Sequence, residues 1–297
     1  MDATQIPVSA VDRPSVSEPS QRAGSDAVPV ESDLRREKVL FTLLVCVTVL
    51  AFAELVRWFL SQELLGTHLG FSIVIFAGFL ALPVFQIAMG MYLAFRFRVR
   101  KHRAAEVGLT VDVFVTVVDE PLELVEKTLR AALEIKYPHE TYLLDDGRNE
   151  AFEALANRLG AGYLSRPSNE DFKAGNLNYA LARTSGELVA IFDVDHTPRP
   201  QFLDRTLGHF ADPEVGFVQA MVTFSNQDES LVARASIETA LDFYNITAVG
   251  KDRCGAASLI GSNAVVRRRS LEETGLYKPG LAEDLETSLS LHAAGWK

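Results

Sequence analysis

The chain has 297 residues, enough for one sizeable domain with further elements attached to it. A formal net charge of −10 argues against a nucleic-acid partner, and a phosphate ligand would need a metal ion or a local basic group. The two cysteines, Cys46 and Cys254, are far apart in sequence, which excludes a disulfide framework and a zinc-binding spacing and is typical of a reducing compartment.

Residues 1–38 predict a disordered tail. As far as about residue 33 they are rich in Ser, Pro, Ala, Asp and Glu, and they show no apolar period. They do not predict a signal peptide, because the first apolar run starts too late and no cleavage pattern follows it.

Two apolar segments follow, and they predict two transmembrane helices within residues 39–97. Residues 39–60 are interrupted only by Glu54 and Arg57, which lie one turn apart and can pair or reach the membrane interface. Residues 69–95 contain no charge. Each segment is long enough to cross a hydrocarbon core of about 30 Å, although the first also fits a buried helix of a soluble protein.

Basic residues flank this pair of segments but are missing from the connection between them. Because flanking basic residues stay on the cytoplasmic side, the pattern predicts a hairpin with both ends in the cytoplasm, in the inner (plasma) membrane. The second basic cluster also fits a simple anchor to anionic lipid. The flanking residues are Arg35, Arg36, Lys38, Arg96, Arg98, Arg100, Lys101 and Arg103.

From residue 111 onward, strand and helix patterns alternate. Alternation of this kind predicts an α/β domain with a parallel, Rossmann-like sheet covered by helices. The predicted strands are 111–118, 141–144, 162–165, 188–192, 215–222 and 264–267. The predicted helices are 122–133, 150–159, 176–183, 200–210, 230–248 and 283–293.

The apolar run at residues 188–192 ends in two carboxylates, Asp193 and Asp195. In an extended backbone these two share a face, and they lie where ligands of open α/β sheets bind. A divalent cation, Mg²⁺ or Mn²⁺ carried with a phosphorylated ligand, would relieve their repulsion. The alternative is a strand followed by a capped turn, and in either case His196 is interpreted as structural.

Acidic and polar residues also follow the other predicted strands. The first strand ends near Thr116 and Glu120, and the second ends in Asp145 and Asp146. Carboxylates crowded at one sheet edge are costly unless they bind cations or accept specific hydrogen bonds, such as those from a pyrimidine or a ribose. The alternative for the segment from Asp145 to Gly147 is an ordinary tight turn.

Lys173 lies just before a predicted helix and offers a positive charge for a diphosphate. Gly175 permits close backbone approach, and the N-terminus of a helix favours an anion. An ordinary N-cap with an exposed lysine fits the same residues.

Two further segments can contribute to a site. Gly261, Ser262 and Asn263 form a glycine turn before a strand, which can shape a pocket for a hydroxylated acceptor or be only a turn. Glu283 and Asp284 open the last helix, where acids complement the helix dipole. In a functional interpretation one of these carboxylates is a general base.

The ordered set of these motifs resembles the family 2 glycosyltransferases, and among them most closely the catalytic subunits of bacterial cellulose synthases. The resemblance covers roughly residues 110–297, and the two apolar segments agree with it. The matching segments are 111–116, 145–147, 173–178, 193–196, 261–267 and 283–284.

This resemblance implies a GT-A fold for residues 104–297 and a UDP-sugar donor. Lys173 would face the diphosphate, Asp193 and Asp195 would hold the nucleotide and its Mg²⁺ or Mn²⁺, and Asp284 would accept the proton of the acceptor hydroxyl. Around the uridine would lie Thr116, Glu120, Asp145 and Asp146. On the acceptor side would lie Gly261, Ser262, Asn263 and Glu283.

The implied reaction is one inverting displacement that moves a sugar, glucose by this resemblance, onto a growing β-glycan on the cytoplasmic side of the membrane. The implied partners are the UDP-sugar, a glycan acceptor, the lipid membrane and accessory synthase subunits. A different β-glycan, or a lipid that receives one sugar, would fit the same motifs.

Three departures from the family pattern raise an alternative. Ala282 stands where the family has Thr, residues 221–228 lack the usual proline-containing pattern, and no Gln-x-x-Arg-Trp motif follows the last helix. We therefore expect an incomplete glycosyltransferase domain. The alternative function is a truncated chain that binds a nucleotide sugar without catalysing its transfer.

Overall fold

The computed structural model describes residues 31–60, 69–96, 100–101, 103–105, 108–225 and 230–297. The chain divides into two compact units, Met1–Ala77 and Gly78–Lys297. Of the expectations above, the tail as far as residue 30, the connection at 61–68 and part of the 221–228 segment lie outside the described residues.

The described part of the first unit consists of α1 (Glu31–Leu60) and the beginning of α2 (Leu69–Phe95). α1 begins at Glu31, so residues 31–38 belong to a helix and not to the expected disordered tail. The expected pairing of Glu54 with Arg57 is confirmed, with Arg57 Nη2 lying 2.8 Å from Glu54 Oε2.

The rest of α2 opens the second unit and is apolar throughout. Within the part of the chain that the structure describes, one segment, Phe76–Phe95, is long and apolar enough to cross a membrane. Its large side chains are mostly uncovered by protein, as at Phe79, which is 77% exposed. A second span in α1 is not confirmed, so the transmembrane hairpin stays a prediction.

The second unit continues as an α/β domain, and helix patterns alternate with strands as expected. Besides its strands and α-helices, this domain contains a 3₁₀ turn (Leu207–Ala211) and a π-helical stretch (Phe243–Ala248). The strands are β1 (Val111–Val117), β2 (Glu140–Asp145), β3 (Gly162–Ser165), β4 (Leu188–Asp193), β5 (Phe217–Gln219) and β6 (Ala264–Arg267). The helices after α2 are α3 (Leu122–Leu133), α4 (Glu150–Leu159), α5 (Phe172–Leu181), α6 (Phe202–Thr206), α7 (Leu231–Asp242), α8 (Val249–Arg253), α9 (Arg268–Thr274) and α10 (Glu283–Ala293).

The strands form one sheet in the order β3-β2-β1-β4-β6-β5. β1 pairs in parallel with β2 and β4, and β2 pairs in parallel with β3. The expectation of an all-parallel sheet is wrong at β6, which runs antiparallel to both β4 and β5. The sheet is therefore mixed, because β6 enters it from the edge at which β4 ends.

Both faces of the sheet are covered by helices, which explains the continuous apolar run of β4. On one face, Val113 of β1 belongs to the same buried cluster as Leu129 of α3. On the other face, the neighbouring residue Phe114 clusters with Leu177 of α5. All four side chains are at most 1% exposed, so the carboxyl edge of the sheet rests on a rigid support.

Two helices differ from the expectation in ways that affect the site. α5 begins at Phe172 and not at residue 176, so Lys173 lies in its first turn and not in a loop before it. α9 was not expected, because Arg268–Thr274 follows β6 without a loop. The other bounds differ by shortening of β5 and α6 and by extension of the long helix to Arg253.

Candidate active site

The carboxyl ends of β1 and β4 bring the first pair of site residues together. Thr116 of β1 lies opposite Asp193 of β4 in the parallel register. The Thr116 hydroxyl donates a hydrogen bond of 3.1 Å to Asp193 Oδ1. The backbone N–H of Asp193 donates to Ser262 Oγ at 2.8 Å, so both ends of this residue are fixed.

Lys173 joins this pair to the acceptor-side turn. Its ammonium forms an ion pair with Asp193 Oδ1 and donates a hydrogen bond of 2.7 Å to the carbonyl oxygen of Gly261. The two paired side chains are only partly covered, at 24% exposure for Lys173 and 36% for Asp193. A ligand can therefore reach a lysine and a carboxylate that are already held in fixed positions.

The last helix presents its first two acids at the same place. Gly261 adopts φ = +70°, a conformation that favours glycine. A Cβ atom at this position would lie 3.7 Å from Asp284 Oδ2 and 3.9 Å from Glu283 Oε1, and 3.8 Å from Lys173 Nζ. The glycine thus leaves open a small space that is lined by two carboxylates and one ammonium group.

The two acids of this space differ in their surroundings. Burial raises the pKa of Glu283 above its ordinary value, the negative charges of Asp284 and Asp193 raise it further, and Lys173 opposes them. Asp284 Oδ1 accepts a 2.7 Å hydrogen bond from the N–H of Leu285. A carboxyl group with a raised pKa beside an ionisable partner is the usual arrangement for moving a proton.

A second cluster adjoins the first at the end of β4. Asp193, Asp195 and His196 each offer one ligand atom, and these atoms lie within 4.8 Å of one another. His196 Nδ1 lies 2.9 Å from Ser262 Oγ and 2.9 Å from Asn263 Nδ2, so the ring is held from behind while Nε2 faces Asp195. The expectation that His196 is structural is thus incomplete, because His196 also belongs to a possible ligand set.

This donor set fits a divalent cation such as Mg²⁺ or Mn²⁺. Two carboxylate oxygens and one imidazole nitrogen on one side leave the opposite side open for ligand oxygens and water. Asp195 is 68% exposed at its side chain, and His196 is 30% exposed. A hydrogen bond at the other ring nitrogen orients such a ligand, and here Ser262 Oγ can accept it from His196 Nδ1.

The Asp145 carboxylate is hydrogen-bonded to its own turn and to a neighbouring tyrosine. The carboxylate is fully buried, and it accepts hydrogen bonds from the backbone N–H groups of Gly147, Arg148 and Asn149. It also accepts a bond of 2.7 Å from the Tyr163 hydroxyl, and burial together with this bond raises the pKa of Tyr163 to about 12. Asp145 therefore shapes the turn after β2, and its expected contact with a uridine stays a prediction.

Asp146 is engaged by a residue that the sequence analysis did not identify. Arg166 forms a two-pronged ion pair with the Asp146 carboxylate and also donates to the carbonyl oxygens of Glu170 and Phe172. The guanidinium group also lies close to Gly175, where a Cβ atom would be 2.2 Å from Arg166 Nη1. Arg166 thereby connects the turn after β2 to the first turn of α5, which carries Lys173.

Glu120 folds back on its own loop. Its Oε2 accepts hydrogen bonds from the N–H groups of Val118 and Asp119, at 2.8 and 3.0 Å. These bonds hold the loop after β1, and the expected uridine contact of Glu120 stays a prediction.

Gln219 of β5 holds the acceptor-side turn from the far side. Its amide donates to the carbonyl of Ser262 at 2.8 Å, and its Oε1 accepts from the N–H of Ile260 at 2.9 Å. No local pattern marks Gln219, because its role depends on the pairing of β5 with β6.

Comparison with known proteins agrees with this architecture. The model of the glycosyl transferase family 2 matches residues 112–275. Cellulose synthase 1 of Komagataeibacter xylinus is 38% identical over 197 residues, which are 63% of this chain and 13% of that protein. The UDP-forming cellulose synthase catalytic subunit of Xanthomonas axonopodis pv. citri (strain 306) is 36% identical over 197 residues, which are 63% of this chain and 27% of that protein.

Among solved structures, the fold is similar to that of a mannosyltransferase from Pyrobaculum calidifontis in complex with GDP-Man and Mn²⁺. The TM-score is 0.57 at 21% identity, and the match covers 76% of this chain and 64% of the other. The expected GT-A, Rossmann-like α/β fold is thereby confirmed, with a mixed sheet. Since the family model matches more than half of its residues, the chain belongs to glycosyl transferase family 2.

Proposed function

We propose that this chain is the donor-binding and catalytic part of a membrane-bound, UDP-sugar-dependent hexosyltransferase that moves glucose onto a growing β-glycan. The names of the relatives support the donor and the product. The observation that carries the proposal is the open space at Gly261, where the Lys173 ammonium faces the carboxylates of Glu283 and Asp284. A cation for the leaving diphosphate and a base for the acceptor hydroxyl thus stand side by side.

In this proposal Lys173 and Thr116 position the donor through Asp193. The ion pair fixes the Asp193 carboxylate, and the one remaining N–H bond of the Lys173 ammonium can turn toward a phosphate oxygen. The nucleoside would lie over the carboxyl ends of the paired strands β1 and β2, near Glu120 and Asp146. These contacts would select the nucleotide, and the turn at Gly261 would receive the acceptor.

The residues that would hold the divalent cation are Asp193, Asp195 and His196. When bound, Mg²⁺ or Mn²⁺ would supply Lewis-acid stabilisation of the charge on the departing UDP. His196 would bind the cation through Nε2 only as the tautomer that carries its proton on Nδ1, and this Nδ1–H can donate to Ser262 Oγ, which lies 2.9 Å away.

Asp284 is the proposed general base. It would take the proton from the attacking acceptor hydroxyl while the sugar moves in one in-line displacement, which inverts the anomeric configuration. Burial raises the pKa of Glu283, so this carboxyl group beside the base stays protonated to a higher pH than an ordinary glutamate.

The apolar helices support a membrane location. The Phe76–Phe95 segment would span the inner membrane, and α1 would form the second span of a multi-pass anchor. The basic residues that follow α2 support a cytoplasmic location for the catalytic domain. Accessory synthase subunits, as further partners, belong to the same proposal.

A second candidate is a chain that binds the nucleotide sugar but does not transfer it. The chain spans about an eighth to a quarter of the length of the two relatives described above. The two candidates share the donor site and differ in whether transfer follows binding.

The decisive experiment uses membranes that contain the full chain, a panel of labelled UDP-sugars, and Mg²⁺ or Mn²⁺. We expect UDP release and labelled polymer from one sugar only, and both should fall by about 100- to 10,000-fold in Asp284→Asn, because that is the usual contribution of a general base. The matched control is Asp242→Asn, an exposed residue of α7.

Unaltered transfer by Asp284→Asn would refute the assignment of the base. Metal-dependent UDP binding without any polymer would refute the catalytic proposal and support the second candidate.

A further inference from the structure

We propose that a basic cavity beside the candidate metal group is a binding site for a phosphate or carboxylate group. The cavity has a volume of about 480 Å³. Its walls include Lys127 of α3, Arg199 from the loop after β4, and Arg205 of α6. It adjoins the active site directly, because Asp195 and Asn263 also line it.

The charges around the cavity favour an anion. Three cationic side chains line it against one carboxylate, that of Asp195, although the whole chain has a formal net charge of −10. Neither Lys127 nor Arg205 forms a salt bridge with another described residue. Like charges around one cavity repel one another, and an anion that enters it relieves this repulsion.

The three cations line the same cavity and are exposed to solvent, so a ligand in solution can reach them. Arg199 Nη2 donates to Thr223 Oγ1 at 3.4 Å, which joins two walls of the cavity. Lys127 and Arg205 project from helices whose opposite faces are fixed by fully buried residues, Leu129 in α3 and Leu203 in α6. An arginine guanidinium donates two parallel hydrogen bonds to a phosphate or a carboxylate, and a lysine adds a point charge.

An anionic group in this cavity has two sources with the same chemistry. One is the diphosphate of the donor, because the candidate metal ligands Asp195 and His196 form part of the wall. The other is an anionic group on an acceptor or another ligand that binds beside the donor. With the donor diphosphate as its ligand the cavity would deepen the proposed function, and with a second ligand it would go beyond it; in both cases the proposal rests on the charges of the cavity and not on sugar transfer.

The test is a ³¹P NMR titration of inorganic phosphate into the full chain in detergent micelles, with EDTA to remove divalent ions. We expect the wild-type chain to bind phosphate, and the double variant Lys127→Gln/Arg205→Gln to show a Kd raised at least about tenfold, since two charge-assisted contacts are lost. The control Arg183→Gln/Arg269→Gln removes the same charge from exposed residues of two other helical regions and should bind like the wild type.

Equal phosphate affinity in the wild type and in Lys127→Gln/Arg205→Gln would overturn the proposal, as would an equal loss in the control variant. Thermal unfolding of each variant identifies a general loss of structure, and the two single variants then replace the double one.

A second titration, with saturating UDP and Mn²⁺, separates the two sources. If phosphate still binds and the double variant has the same UDP affinity as the wild type, the cavity belongs to a second ligand. If UDP displaces the phosphate and the double variant binds UDP more weakly than the wild type, the cavity belongs to the donor diphosphate. Either result supports the anion site, and neither depends on whether the chain transfers sugar.

Discussion

The ion pair between Asp146 and Arg166 allows a prediction of stability that can be worked out from burial. The two side chains are 9% and 5% exposed, so both charges are almost fully removed from water. The change Asp146→Asn keeps the shape of the side chain but leaves the guanidinium charge buried and without its carboxylate. Breaking a buried pair in this way costs about 3–5 kcal/mol of unfolding free energy.

In a domain of about 150–250 residues, each kcal/mol shifts the melting temperature by about 2–4 °C, so Asp146→Asn should lower it by about 6–20 °C. The assay is differential scanning fluorimetry of the detergent-solubilised full chain. Glu126→Gln is the matched control, because Glu126 pairs with Arg130 and Arg158, whose side chains are largely exposed. Such surface pairs contribute little, and the control should melt near the wild-type temperature.

The double change Asp146→Leu/Arg166→Met separates the loss of a charge partner from the loss of the pair. Replacing both charges with apolar groups should recover much of the lost stability, because no charge is then left buried and unpaired. The UDP affinity of this double variant should be lower than that of the wild type, since Arg166 also holds the first turn of α5, which carries Lys173. A melting temperature of Asp146→Asn no lower than that of Glu126→Gln would refute this reasoning.

Two further predictions concern the neighbouring carboxylates. Asp195→Ala should weaken metal-dependent UDP binding about 10–100-fold in a Mn²⁺ titration, since it removes one of three clustered ligand atoms, and unchanged binding would place the metal elsewhere. Burial raises the pKa of Glu283 in the folded chain, so the folded chain binds more protons at this site than the unfolded chain. The free energy of unfolding of the wild type therefore falls as the pH rises from the pKa of Glu283 in the unfolded chain through its pKa in the folded chain. Glu283→Gln should therefore become more stable relative to the wild type as the pH is raised from 4 toward 7, and melting curves that stay parallel over this range would contradict the raised pKa.

Local structure was largely predictable where the signals themselves are local. The bounds of α4 agree with the expectation because Asn149 caps its start, accepting from Ala151 N at 2.9 Å, and Gly160 ends it at φ = 80°. α5 begins at Phe172 and not at residue 176, and the sequence does not predict this start because the cap, Asp171, has φ = 60° and makes no side-chain cap bond. The familiar capping pattern, in which a side-chain oxygen accepts from a free N–H of the first turn, is therefore missing there.

The residues of the turn after β2 show what a linear pattern cannot supply. Two adjacent aspartates at a strand end suggest two ligands, and their surroundings distinguish them only in three dimensions. Asp145 is surrounded by the N–H groups of its own turn, whereas Asp146 faces Arg166, which lies beyond α4 and β3. Packing that brings β2 and β3 together in parallel is what joins this pair, so no local signal could have identified it.

The antiparallel direction of β6 determines where the turn at residues 261–263 lies. The turn at residues 261–263 precedes its strand, and a parallel β6 would place that turn at the opposite edge of the sheet from Asp193. The expectation of an all-parallel sheet was therefore incompatible with an acceptor-side role for the turn. In the structure Ala264 pairs with Ile191 in antiparallel register, and the N–H of Asn263 donates to the Ile191 carbonyl at 2.7 Å. The reversal brings the start of β6 to the end of β4, and the proposed acceptor turn meets the donor-side carboxylate because of that long-range pairing.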